Sequence, residues 1–207
     1  MFDSVTAGRN NPLPSPAPQG LPDLLLIERA RLADARAIET LTRRYTQRLF
    51  RIARSILGDE ESAEEAVAAS AVAAFEELAR HEPAGKFAVW LARLTLEHSR
   101  ARRDAGQAAV RSGGSAPPPL EAAIDALPEA FRIVFVLRVL EGISGPETAL
   151  TLGLNVTTVR TRLFRAHRRL AAAAIFNTGA YRAFELEAAR GERIVAAVLS
   201  RSRERSA

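Results

Sequence analysis

The residues with the clearest chemistry lie between Val156 and Leu170, where five arginines and one histidine occur with no acid. Read as a helix, Val159, Leu163, Ala166 and Leu170 recur at steps of four, three and four and form one buried stripe. Thr157, Thr158, Arg160, Thr161, Arg162 and Arg165 then face outward, with Arg168 and Arg169 further along. This set suits duplex DNA. Arginine can pair bidentately with guanine, threonine offers a hydroxyl and a methyl, and later arginines along the helix reach phosphate. The competing reading is an ordinary helical hairpin with a solvated arginine face.

The elements around this stretch are those that would position it. Ser144-Gly145-Pro146-Glu147 predicts a capped helix start, with Ser144 as N-cap, Glu147 reaching back and proline in the first turn. Ala149 and Leu152 face inward from that helix, Gly153 ends it, and Asn155 can cap a last helix running to about Ala173. A short helix, a turn holding Gly153 and a second helix have helix-turn-helix spacing over about residues 142–170. Upstream, Phe131–Leu140 could be a buried strand by composition. Pro128 in the first turn, the length of the run and the lack of a partner strand predict a helix instead.

The whole chain reads as all-α, with two small helical domains joined by a flexible linker. Residues 23–103 predict a four-helix bundle: a short helix over Leu24–Leu32, then one from the Asp34 cap to about Leu57 and Gly58. A third runs from Glu60 to Ala79, His81–Gly85 breaks the chain, and a fourth spans Phe87–Arg103 with Phe87, Trp90, Leu91 and Leu94 on one face. Residues 104–119 are the linker, since Gly-Gly-Ser followed by three prolines cannot continue a helix. Residues 120–175 form the helix-turn-helix domain, residues 1–22 read as a disordered tail, and residues 176–207 form a C-terminal extension. In that extension Ile194, Val195, Val198 and Leu199 make a small apolar stripe, expected to pack back onto the DNA-binding domain, with a regulatory partner site as the alternative.

Composition narrows the function further. The chain has 207 residues, 47% hydrophobic and 26% charged, and no apolar run approaching the ~20 residues of a membrane span, so no membrane insertion is expected. Absence of cysteine removes any thiolate metal site or disulfide framework and suits the cytoplasm. His81, His98 and His167 are too scattered to hold a metal. Nothing assembles a nucleophile with a base, a paired-carboxylate site or a phosphate loop, so neither an enzyme nor a cofactor is expected. Charge is segregated: Asp59–Glu82 holds eight acids and one arginine, against the acid-free stretch described above. Different faces should therefore meet different partners.

Leu127-Pro128-Glu129, Val136-Leu137-Arg138, Leu140 through Ser144, Leu152-Gly153-Leu154 and Val159 through Ala166 closely resemble the C-terminal promoter-binding domain of extracytoplasmic-function sigma factors, in the sigma-70 family. Residues Tyr45 through Leu57-Gly58-Asp59, the Ser62-Ala63-Glu64-Glu65 helix and Phe87 to Arg93 resemble that family's N-terminal domain. The resemblance implies region 2 over 23–103, binding core RNA polymerase and −10 DNA, and region 4 over 120–175, binding −35 DNA. It implies promoter DNA and core polymerase as partners, with an anti-sigma factor or similar regulator holding the protein inactive. On this basis Trp90, Arg93, Glu97, Arg100, Arg102 and Arg103 are the expected −10 residues, and Glu64, Glu65, Ala68 and Ala69 the expected polymerase contacts.

Two positions depart from the family pattern. A Gln-Glu pair is usual where this chain has Ala68-Ala69, so the grip on polymerase should be weaker or rest on Glu64 and Glu65. Asparagine is usual near Glu97, where a carboxylate repels phosphate, so −10 recognition should be unusual. Two readings follow: a sigma factor directing promoter-specific initiation, or a sigma-like decoy or adaptor that binds DNA without initiating. A plain helix-turn-helix regulator would not need the Trp90-bearing bundle.

Overall fold

The computed structural model describes residues 21–80, 85–106, 119–172 and 183–204. Every regular element among them is helical, as expected. In the first unit α1 spans Asp23–Arg31, α2 Ala35–Leu57, α3 Glu60–Leu78 and α4 Phe87–Asp104. The second holds α5 (Pro119–Asp125), α6 (Glu129–Phe135), α7 (Gly145–Leu152) and α8 (Val156–Ala172), and α9 (Ala188–Glu204) follows. The disordered-tail reading of residues 1–20 and most of the linker reading, 107–118, fall outside the described residues. Where the linker was expected to end, Pro119 already opens α5.

Local chemistry sets the helix ends. The Asp34 carboxylate accepts from the backbone N–H of Arg36 and Ala37 at the start of α2, and Gly58 closes it with φ of 84°, a left-handed conformation that favours glycine. Asp59 caps α3 by accepting from the Ser62 N–H at 2.7 Å. Along α2, Ile38, Leu41, Leu49 and Phe50 are buried and meet Val67, Ala71, Ala74 and Leu78 of α3 in one core. The alanines of α3 let it approach α2 and α4 closely, and Ser70 hydrogen-bonds Thr95 across that seam at 3.0 Å.

Phe131–Leu140 is helical, as expected, but its second half, Val136–Leu140, winds as a π-helix. The Glu141 N–H reaches back to the Val136 carbonyl at 3.0 Å. The two faces of this helix serve different cores. Val136 and Leu140 join Ile124, Ala166 and Leu170 inside the second unit. Ile133 and Leu137 instead meet Ile52, Ile56, Ala92 and Leu96 of α2 and α4.

The two units are therefore packed against each other. Charged groups surround that shared apolar cluster: Glu141 accepts from Arg48 at 3.1 Å and Arg51 at 2.9 Å, and Asp125 pairs with Arg54 at 3.0 Å. Lys86 reaches Glu147 at 2.6 Å, and Arg100 reaches Glu129 at 3.3 Å.

The C-terminal extension corrects one expectation. Its stripe does not pack onto the helix-turn-helix; Ile194 and Val198 join the core of the first bundle, with Leu199 against it. The segment before it does touch the second unit, where Ala183 and Phe184 are buried beside Ile124 and Leu127. Phe184 has φ of 54°, rare for a bulky residue. Three groups fix it: its N–H donates to Glu121 at 2.8 Å, its carbonyl accepts from Gln47 at 3.0 Å, and the Arg54 guanidinium lies 4.8 Å from its ring centre.

Candidate nucleic-acid interface

The helix-turn-helix is built as its sequence spacing requires. Ser144 and Glu147 form a reciprocal capping box, the Glu147 N–H donating to Ser144 Oγ and the Ser144 N–H to Glu147 Oε2, both at 3.3 Å. Glu147 also accepts from Lys86 and from the Ser144 hydroxyl, and these hold its carboxyl down at about 2. Gly153 turns the chain at φ of 63°, and the Leu154 N–H returns to the Ala149 carbonyl at 2.9 Å. Asn155 Oδ1 then accepts from the Thr158 N–H at 2.7 Å and starts α8.

Val159, Ala166 and Leu170 are buried and Leu163 is half-buried, so the four-residue stripe points inward. Ala149 is buried with Val134 and Val159, and Leu152 packs on the same cluster. On the opposite side Thr157, Arg160, Thr161, Arg165, Arg168 and Arg169 are exposed, and Thr158 and Arg162 are half-exposed. Their packing leaves a continuous outward face of arginine and threonine. Arg165 and Arg169 bracket the Phe131 ring at 6.0 and 5.7 Å from its centre, which holds both guanidinium groups beside Arg168. Among the described residues none of these five arginines forms an ion pair. The arginines of the first unit's α2 and α4 other than Arg36 contrast sharply, since Arg43, Arg44, Arg48, Arg51, Arg54, Arg93, Arg100, Arg102 and Arg103 are all paired with acids. Among the described residues α8 carries the largest cluster of arginines without an acid partner.

Sequence reasoning passed over Phe164, whose ring is 62% exposed between Arg160 and Arg168. Its position outside the inward stripe was the signal. His167 is half-buried beside Phe135, with ring centres 5.7 Å apart, and burial pushes its imidazole below the ordinary histidine range.

The expected −10 residues divide into two groups. Trp90 is half-buried against Phe87, centres 5.6 Å apart, while Arg93 and Glu97 are exposed and paired with each other at 3.3 Å. Arg100 and Arg103 turn instead to Glu129 of the second unit, and Arg102 pairs with Glu65. Of the expected polymerase contacts, Glu65 and Ala69 are exposed, Ala68 is half-buried, and Glu64 is held by Arg190 and Arg193 of α9.

Residues 41–104 match the family described as sigma-70 region 2, and residues 119–170 match sigma-70 region 4, together more than half of the chain. The chain belongs to the sigma-70 family. It is 30% identical over 153 residues to the ECF RNA polymerase sigma factor SigE of Mycolicibacterium smegmatis. That alignment covers 64% of this chain and 59% of the relative, so the chain spans less than two thirds of the curated protein it matches. Among solved structures it is similar to CnrH in complex with the cytosolic domain of CnrY, at 29% identity and a TM-score of 0.58, covering 75% of this chain and 99% of CnrH. Both family matches coincide with the two packed units, and the extracytoplasmic-function resemblance read from the sequence holds. No described helix of this sigma-70 family member is long and apolar enough to cross a membrane.

Proposed function

We propose that this protein is a cytoplasmic sigma factor that binds core RNA polymerase and directs initiation from a specific promoter set. The observation that carries the reading is the exposed, unpaired arginine–threonine face of α8. In this reading Thr157, Thr158, Arg160, Thr161, Arg162 and Arg165 enter the major groove of the −35 element, and Arg168 and Arg169 meet phosphate. Region 2 binds through Glu64, Glu65, Ala68 and Ala69 to polymerase and through Trp90, Arg93, Glu97, Arg100, Arg102 and Arg103 to −10 DNA. Arg100 and Arg103 reach that DNA only once Glu129 has moved away, so the packed arrangement of the two units is a resting state. A regulator that holds this state would act as an anti-sigma factor, a reading supported by the capture of CnrH with the cytosolic domain of CnrY.

Ala69 favours one alternative. It stands exposed on α3 without a polar group to grip a partner, which suits a decoy or adaptor that binds DNA but does not initiate. Mixing the purified protein with core RNA polymerase and following transcription from a genomic promoter library separates the two. A stable complex that initiates from defined sites is expected; duplex binding without such a complex leaves the adaptor.

A further inference from the structure

The C-terminal helix α9 occupies part of the surface that the proposed function gives to polymerase. Its first turns place two arginines on one carboxylate. Arg193 donates to Glu64 through Nε at 2.6 Å and Nη2 at 2.7 Å, and Arg190 Nη1 donates to the same group at 3.0 Å. Arg190 also pairs with Glu60 at 3.0 Å, while Glu192 on the same turn accepts from Arg43 of α2 at 2.8 Å. With these partners the Glu64 side chain is only 15% exposed, and the Arg193 guanidinium holds its carboxyl below the usual range.

Apolar contacts continue the seat. Ile194, Val195 and Val198 are buried, and further along Ala197, Ser200 and Arg201 wall a groove against Ala68, Ala69 and Val72. The stretch leading into α9 is anchored to the second unit through Phe184 and to α2 through Leu186, whose N–H donates to Gln47 Oε1 at 2.8 Å. Residues 183–204 thus form a strap that starts in the second unit's core and ends on α3.

We propose that α9 is an intramolecular competitor of core RNA polymerase: it covers the Glu60–Glu64 side of α3 and must be displaced before a basic polymerase surface can dock there. This inference rests on the reading that α3 meets polymerase. Two cationic surfaces that use the same carboxylates exclude each other. The apparent affinity for the external one falls by the fraction of molecules in which the internal one is seated.

The test uses the full chain carrying Arg190→Glu with Arg193→Glu, and separately Ile194→Asp with Val198→Asp. The first pair unfastens α9 by charge, and the second removes its apolar seat while leaving every charge on α3 in place. Hydrogen exchange over residues 188–204 reports release of α9, and affinity for core polymerase is measured alongside. The expected result is lost protection with an affinity at least five-fold tighter than that of the unaltered chain. A released α9 with unchanged or weakened affinity, in whichever variant releases it, overturns the inference and leaves the sigma reading intact. No complex with polymerase from any of the three proteins overturns both.

Discussion

Arg54 and Asp125, 71 positions apart in the chain, meet as a closed two-bond pair, with Nη1 to Oδ1 at 3.1 Å and Nη2 to Oδ2 at 3.0 Å. Their side chains are only 7% and 10% exposed. Because the same guanidinium also covers the Phe184 ring, one residue of α2 touches both the helix-turn-helix unit and the strap that leads to α9. The pair sits where all three parts of the molecule converge.

Removing one member should therefore be costly. A buried charge left without its partner destabilises by about 3–5 kcal/mol, whereas replacing both by apolar groups of similar size is often neutral. Arg132 stays within 3.9 Å of Asp125 whatever happens to Arg54, so the costly single change is Asp125→Ala, which takes the acid from the buried Arg54. It should lower stability to urea by an amount in that range, and Arg54→Met with Asp125→Leu should recover a large part of it. Equal losses in the single and double variants would mean that the pair does not join the units energetically.

The helix-turn-helix predicts two kinds of arginine. Arg160→Ala should weaken binding to a duplex selected from a random pool by about 1–3 kcal/mol and relax its sequence preference. Arg168→Ala should weaken selected and scrambled duplexes alike, reducing the salt dependence by about one charge. Fluorescence anisotropy at several salt concentrations distinguishes the two, and identical behaviour would show that α8 meets DNA by another face.

A third prediction concerns acid. The Glu147 carboxyl is depressed to about 2 from 4.5, first by the Lys86 ammonium and then by Ser144. A depressed carboxyl contributes stability that is present above its unfolded value and lost as pH falls through its folded one. Glu147→Gln should flatten the stability curve between about pH 4.5 and 2, read from thermal midpoints. Lys86 is 76% exposed and solvent screening keeps its share small, so most of the change should reproduce the capping contribution, about 0.5–2 kcal/mol. A curve unchanged by the substitution would show that neither contact holds in solution.

Local chemistry made much of this fold legible. Asp34 and Gly58 bound α2, Ser144 with Glu147 and Gly153 bound α7, and the stripe from Val159 to Leu170 identifies the outward face. What sequence did not carry was long-range. Ile133 and Leu137 have the apolarity of any core residue, and nothing local shows that their neighbours come from α2 and α4. Arg51 and Arg54 look like solvated positions of a basic helix, yet both are buried against acids, Glu141 and Asp125, that lie 90 and 71 positions further along the chain. The stripe in α9 showed that the helix packs; it carried no information about which bundle receives it. Periodicity identifies a face, and only the partner's shape and charge decide where that face goes.

The joint between the two halves has a consequence for what can undo it. Among the described residues, apart from Lys86, the cations that cross it are guanidinium groups: Arg48, Arg51, Arg54, Arg100 and Arg103. Such groups keep their charge at any pH a cell reaches, so mild acidification or alkalinisation leaves the joint closed. The same planar fork accepts a phosphate as readily as a carboxylate. Chemically the joint is a row of phosphate-competent forks already filled by the protein's own carboxylates.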